Sequence, residues 1–108
     1  MKKVLIIDSS KLFSEFMKEK LSTENITVEV SNGRRDAYTR LITVLPDLVI
    51  MDVSDSFTDL MDFLKRKSSD PNAKNIPIIL SGPAIEKARI ASLVRYGVIK
   101  YFPIPIKF

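Results

Sequence analysis

The sequence contains no cysteine and no histidine. The first absence excludes disulfides and thiolate metal sites and fits a reducing compartment. The second removes the commonest general base near neutral pH and the usual zinc ligand. Any chemistry must therefore rest on carboxylates, hydroxyls and lysines. No stretch approaches the ~20 apolar residues of a membrane span. The four apolar residues after Met1-Lys2-Lys3 are too few for a signal-peptide core. The expected location is the cytoplasm.

Hydrophobic residues make up 45% and charged residues 28% of the chain, the balance of an ordinary soluble globular protein. Its 108 residues suit a single domain, 1–108, with enough material for one core. The net charge is +4. The basic residues are scattered (Lys18, Lys20, Arg34, Arg35, Arg40, Lys65, Arg66, Lys67, Lys87, Arg89, Arg95), without interleaved aromatics. That pattern reads as solvated helix faces rather than a nucleic-acid surface.

Two segments stand out. Val4-Leu5-Ile6-Ile7 ends in Asp8, and Leu48-Val49-Ile50-Met51, introduced by Pro46-Asp47, ends in Asp52. Continuous apolar runs of this length read as strands buried on both faces, the mark of a central parallel sheet. Between and after them, helical and strand patterns alternate. The spacing predicts a helix from about Ser10 to Ser22 with Leu12, Phe13, Phe16, Met17 and Leu21 on one face. It predicts a strand at Ile26 to Val30, then a turn at Asn32-Gly33 into a second helix that ends before Pro46. Ser56-Phe57-Thr58-Asp59 has capping-box spacing and starts a third helix that ends around Lys67. A fourth strand is expected at Ile76 to Leu80, and Gly82-Pro83 is expected to open the fourth helix. Gly97 closes that helix as a left-handed cap, and a fifth strand follows at Ile99 to Phe102.

Such β-α units imply a doubly wound α/β sheet covered on both sides. In the order 2-1-3-4-5, strands one and three are neighbours at the switch point, where open α/β sheets bind ligands. Asp8 and Asp52 would then sit side by side, with Ser81 close to Asp52. On the residues alone, Asp52 also reads as a solvated strand-end acid and Asp8 as an acceptor for a loop amide. Ser81 equally reads as a cap for helix four, and Tyr101 as a core or edge aromatic.

In this order and spacing, Ile6-Ile7-Asp8, the Pro46–Asp52 run, Ile76-Pro77-Ile78-Ile79-Leu80-Ser81-Gly82 and Tyr101 followed by Pro105 resemble the receiver domain of bacterial two-component response regulators. The likeness spans the whole chain and implies a flavodoxin-like, five-stranded parallel fold. It implies Asp52 as the phospho-acceptor and a magnesium site from Asp8, Asp52 and the Ser54 backbone carbonyl. Ser81 and Tyr101 would be the switch pair that reports phosphorylation. A protein of this kind is no enzyme beyond catalysing its own aspartyl phosphorylation. Its expected partner is a histidine kinase or another signalling protein.

This sequence departs from the family pattern at three places. Ser9 stands where the second acid of the metal-binding pair is usual, which weakens the magnesium site. Ile104 stands in place of the lysine before Pro105 that meets the phosphoryl charge. Asp55-Ser56 and Leu60 replace the residues usual after the phospho-acceptor. The expectation is a degenerate pseudo-receiver acting by protein–protein interaction through helix four and strand five (Arg89, Arg95, Tyr101). The alternative is a working magnesium-dependent phospho-receiver. Receivers also carry a fifth helix after the proline. Only Ile106-Lys107-Phe108 follow Pro105 here, so the resemblance implies a final helix that is absent or truncated. A second copy, an attached downstream domain or another partner would then cover the exposed sheet.

Overall fold

The structure, a computed structural model, describes residues 2–8, 10–32, 36–53 and 57–103. Five strands, β1 (Lys2–Ile7), β2 (Ile26–Ser31), β3 (Leu48–Asp52), β4 (Ile78–Gly82) and β5 (Val98–Pro103), form one sheet. All neighbours run parallel, in the expected order β2-β1-β3-β4-β5. The connecting helices are α1 (Lys11–Leu21), α2 (Ala37–Val44), α3 (Phe57–Ser68) and α4 (Lys87–Leu93), the last extended by a 3-10 turn at Val94–Tyr96. No described helix is long and apolar enough to cross a membrane.

Side chains along a strand alternate between faces, and the two faces of this sheet differ. Leu5, Ile7, Val49, Met51, Ile78, Leu80 and Tyr101 point to one side, where Leu41 of α2, Leu60 and Leu64 of α3 and Leu93 of α4 close the main core. Val4, Ile6 and Val28 point to the other and meet Met17 and Leu21 of α1. The reading of β3 as a strand buried on both faces is corrected here. In β3, Val49 and Met51 are buried but Leu48 and Ile50 are only half-buried. The reason is that α1 packs over β2 and β1, leaving the same side of β3 and β4 less covered among the described residues. Ile104–Phe108, on which the final-helix expectation rests, lie outside the described residues.

The face of α1 also differs from the reading of its sequence. Ser14 is fully buried, whereas Leu12 is 85% exposed and Phe16 54% exposed. A small side chain at position 14 lets the helix approach the sheet closely, and the bulky residues beside it turn outward. Ser10 caps the helix, its Oγ accepting from the Phe13 amide at 3.1 Å, which satisfies one of the free donors of the first turn.

Other boundaries shift for identifiable reasons. β4 begins two residues later than the apolar run suggests. The Ile76 amide is bound to the Ala73 carbonyl in the preceding loop, and Pro77 contributes its carbonyl to the Val49 amide at 3.0 Å. Pro83 does not open α4, which starts at Lys87; it lies in the loop between. Gly97 has φ 88°, the left-handed cap expected, and Leu45 ends α2 with φ 47° just before Pro46. At the start of the sheet, the Lys3 amide donates to Asp47 Oδ2 at 2.8 Å while the Asp47 amide donates to the Lys3 carbonyl at 2.8 Å. Gly33, and the Ser56 of the capping box, lie outside the described residues.

Candidate functional site

The site is assembled at the carboxyl edge of the three central strands. Asp8 follows the last residue of β1, and Asp52 is the last residue of β3. Ser81 of β4 is the register partner of Asp52, and the Val53 amide donates to the Ser81 carbonyl at 2.8 Å. Central parallel strands end together, so an acid after β1 and another ending β3 come close although 44 positions separate them in the sequence.

Asp8 is held from several sides. Its amide donates to the Ser31 carbonyl at 3.0 Å, continuing the ladder past the end of the strand. One carboxylate oxygen accepts from the Ser10 amide at 2.7 Å. Its carbonyl accepts from Asn32 Nδ2 at 3.2 Å, and the same nitrogen donates to Ser14 Oγ at 2.7 Å. Ser14 Oγ in turn donates to the Lys11 carbonyl at 3.0 Å. Asn32 and Ser14 escaped the sequence reading. Asn32 was legible only as half of an Asn-Gly turn, and nothing in helical periodicity marks Ser14 as inward-facing.

Burial, opposed by the Ser10 hydrogen bond and reinforced by the charge of Asp52, raises the Asp8 carboxyl above its ordinary value. The Asp52 charge, within electrostatic reach, disfavours the charged form of the buried Asp8 carboxyl. An oxygen-bound hard cation relieves that repulsion, so the pair fits magnesium or a similar divalent ion. Among the described residues no group of three or more metal-ligating side chains forms. Ser54, whose carbonyl the resemblance assigns to the metal, lies outside the described residues, as do Ser9 and Ile104.

Tyr101 sits one strand further out, in register with Leu80, and its ring belongs to the main core. Its hydroxyl donates to the Pro83 carbonyl in the β4–α4 loop. Burial, with the Asp52 charge second, raises its pKa. Gly82 makes this approach possible: a Cβ there would lie 3.0 Å from the Tyr101 hydroxyl oxygen and 3.1 Å from the Val53 carbonyl. Of the three residues expected on the α4–β5 contact face, Arg89 and Arg95 are exposed and Tyr101 is not. Arg95 lies over the Tyr96 ring at 5.3 Å.

The sheet order, the acidic pair and the Asp52–Ser81 register together give the chain the fold of response-regulator receiver domains. No protein-family model matches the sequence, and no curated protein matches it. Solved structures do. The N-terminal domain of a response regulator receiver protein from Methanoculleus marisnigri JR1 is 19% identical, with a TM-score of 0.83 over 98% of this chain and 86% of that one. The signal receiver domain of a DNA-binding response regulator from Colwellia psychrerythraea 34H is 25% identical, with a TM-score of 0.83 over 100% of this chain and 89% of that one. The Mn(2+)-bound form of response regulator Rcp1 is 19% identical, with a TM-score of 0.78 over 100% of this chain and 84% of that one.

Proposed function

We propose that this chain is a receiver-type module of two-component or phosphorelay signalling, working mainly by binding other proteins, with its phosphorylation chemistry degenerate. The observation that carries the receiver assignment is the grouping of Asp8, Asp52 and Ser81 at the carboxyl edge of a sheet with the receiver order. The degenerate character rests on the sequence, where Ser9 and Ile104 occupy the places of an acid and a lysine. A phosphoryl group adds about −1.5 to −2 charges. Isoleucine offers no donor to meet them and excludes water that would. A histidine kinase or another signalling protein is the partner this reading implies. Arg89 and Arg95 offer the exposed contacts on the α4–β5 side.

The second reading, a working phospho-receiver, is favoured by the intact Asp8–Asp52 pair and by Ser81 beside it. Here an Asp52 carboxylate oxygen attacks the phosphorus of a phosphohistidine or small acyl phosphate in line. A P–O bond forms as the P–N or P–O bond of the donor breaks, and the leaving group departs with the electron pair. Asp8, Asp52 and the Ser54 carbonyl would hold magnesium, which supplies charge neutralisation at the transferring phosphoryl oxygens. Ser81 would donate one hydrogen bond from its hydroxyl to a phosphoryl oxygen once the group is on Asp52.

An amide NMR titration with magnesium and beryllofluoride, a phosphoryl mimic, separates the two. The pseudo-receiver reading expects no magnesium-dependent shift at Asp52, Ser81 or Tyr101. Saturable shifts at all three overturn it in favour of the working receiver.

A further inference from the structure

α1 meets its own sheet through Ser14, Met17 and Leu21. Leu12, Glu15, Phe16 and Glu19 follow i, i+3, i+4, i+7 spacing and so form a second stripe of its surface. All four line one shallow groove, bordered by Lys18 and Ser22. Two positions separate Leu12 from Ser14, about 200° around the helix, so the stripe points away from the sheet. Leu12 is 85% exposed and Phe16 54%, with the Lys20 ammonium 5.6 Å from the Phe16 ring centroid. Glu15 and Glu19 are exposed, and neither joins an ion pair among the described residues.

Beside α1, the same side of the sheet is only partly covered over β3, β4 and β5. The parallel register sets Ile6, Ile50, Ile79 and Lys100 in one row, and Asp52, Ser81 and Phe102 in the next. Ile6 belongs to the cluster beneath α1, and side chains two apart on a strand share a face, so both rows look to the α1 side. Ile50 and Ile79 are half-buried, and Phe102 is 50% exposed. Lys100, the one base in the two rows, is exposed, its ammonium 5.4 Å from the Phe102 ring centroid.

The helix thus offers acids beside apolar side chains, and the sheet offers a base beside apolar side chains. The two cannot meet within one molecule, because the stripe faces away from its own sheet. Pairing the stripe with its own copy would set carboxylates against carboxylates, which is destabilising. A two-fold axis that lays α1 of each copy on the open sheet of the other makes both matches at once and closes the assembly.

We propose that this face forms a symmetric homodimer in which each α1 is held between two sheets. It packs on its own through Ser14, Met17 and Leu21 and on its partner's through Leu12 and Phe16. Glu15 and Glu19 then face Lys100 of the partner subunit. The inference does not depend on the signalling role.

Sedimentation velocity from micromolar to millimolar concentration tests it. The protein should pass reversibly from monomer to dimer and go no further. Leu12→Ser should weaken the dimer by more than about ten-fold, since two leucines leave the interface. Lys100→Gln, and the double variant Glu15→Gln with Glu19→Gln, should each weaken it roughly three- to ten-fold. All three changes together should cost no more than either set alone, because each set removes the charges the other meets. All these side chains are exposed, and unchanged circular dichroism confirms that the fold persists. A protein that stays monomeric throughout, assembly beyond the dimer, an unaffected Leu12→Ser variant or strictly additive charge effects would each overturn the proposal. A monomer would leave the face to a different protein.

Discussion

Gly82 and Tyr101 meet with no room for a side chain between them: a Cβ at position 82 would stand 3.0 Å from the tyrosine hydroxyl oxygen. Gly82→Ala should destabilise the fold by about 1–3 kcal/mol through overpacking. Tyr101→Phe should cost about 1 kcal/mol for the lost hydrogen bond to Pro83. Combined, they should cost less than the sum, because removing the hydroxyl removes the contact that crowds the new methyl. Urea denaturation of the four proteins in the cycle measures the coupling, and strict additivity would contradict the contact.

Lys67, at the end of α3, is wholly buried, its ammonium 3.4 Å from the Lys74 carbonyl. Burial lowers its pKa below the ordinary lysine value. Between the folded pKa and the unfolded one (about 10.4), the unfolded chain binds the proton more strongly, so stability rises with pH across that window. Lys67→Met should be neutral or stabilising by up to about 2 kcal/mol near pH 7. Its advantage over the wild type should shrink as pH rises to about 10.4, because the native lysine gives up its proton before the unfolded one does. Urea midpoints at the two pH values check both the sign and the convergence.

Asp70 behaves in the opposite sense. The Asn72 amide donates to Oδ1 at 2.8 Å and Tyr38 donates to Oδ2 at 2.9 Å. The Asn72 bond first, and the Tyr38 bond second, hold its carboxyl below the ordinary range. The stability this contributes is present above the unfolded pKa and is lost as pH falls through the folded one. Asp70→Asn should therefore show a flatter fall in urea midpoint than the wild type between about pH 5 and about pH 3. Parallel curves would rule out the contribution.

On α1, Leu12→Ser should change stability by no more than about 0.5 kcal/mol, as expected of a surface site. Ser14→Leu should cost about 1–3 kcal/mol by forcing a large side chain between helix and sheet. Thermal melts of the two variants test which face is buried. The reverse ranking would restore the face that the apolar pattern suggests.

That last case marks the limit of what the sequence reveals. Where apolarity and geometry agree, the reading is close: β3 is bounded as expected at Leu48 and Asp52, and Gly97 caps where a positive φ is needed. In α1 they disagree. Leu12, Phe13 and Phe16 make the stronger apolar stripe, yet close approach to β1 and β2 selects the side with the small Ser14. Ile76 and Pro77 look like strand residues, but the backbone of Ile76 is committed to a turn with Ala73. Asp8, Asp52 and Ser81 were legible as neighbours because strand order follows from alternation of elements. The hydroxyl bond from Tyr101 to Pro83 and the Asn32–Ser14 link were not, since each joins positions that only the folded chain brings together.

The reciprocal bonds between Lys3 and Asp47 have a consequence for strand alignment. In β1, Val4, Leu5, Ile6 and Ile7 are all buried, so apolar character does not distinguish its two faces. In a half-exposed strand, sliding by one residue would carry its apolar set into water, and that penalty fixes the pairing. β1 lacks this safeguard, because a slipped copy would still present aliphatic side chains to both layers. The Lys3–Asp47 clamp supplies the missing information, since it closes at one alignment of β1 against β3 and no other. It thereby sets how far β1 reaches, and so whether Asp8 arrives level with Asp52.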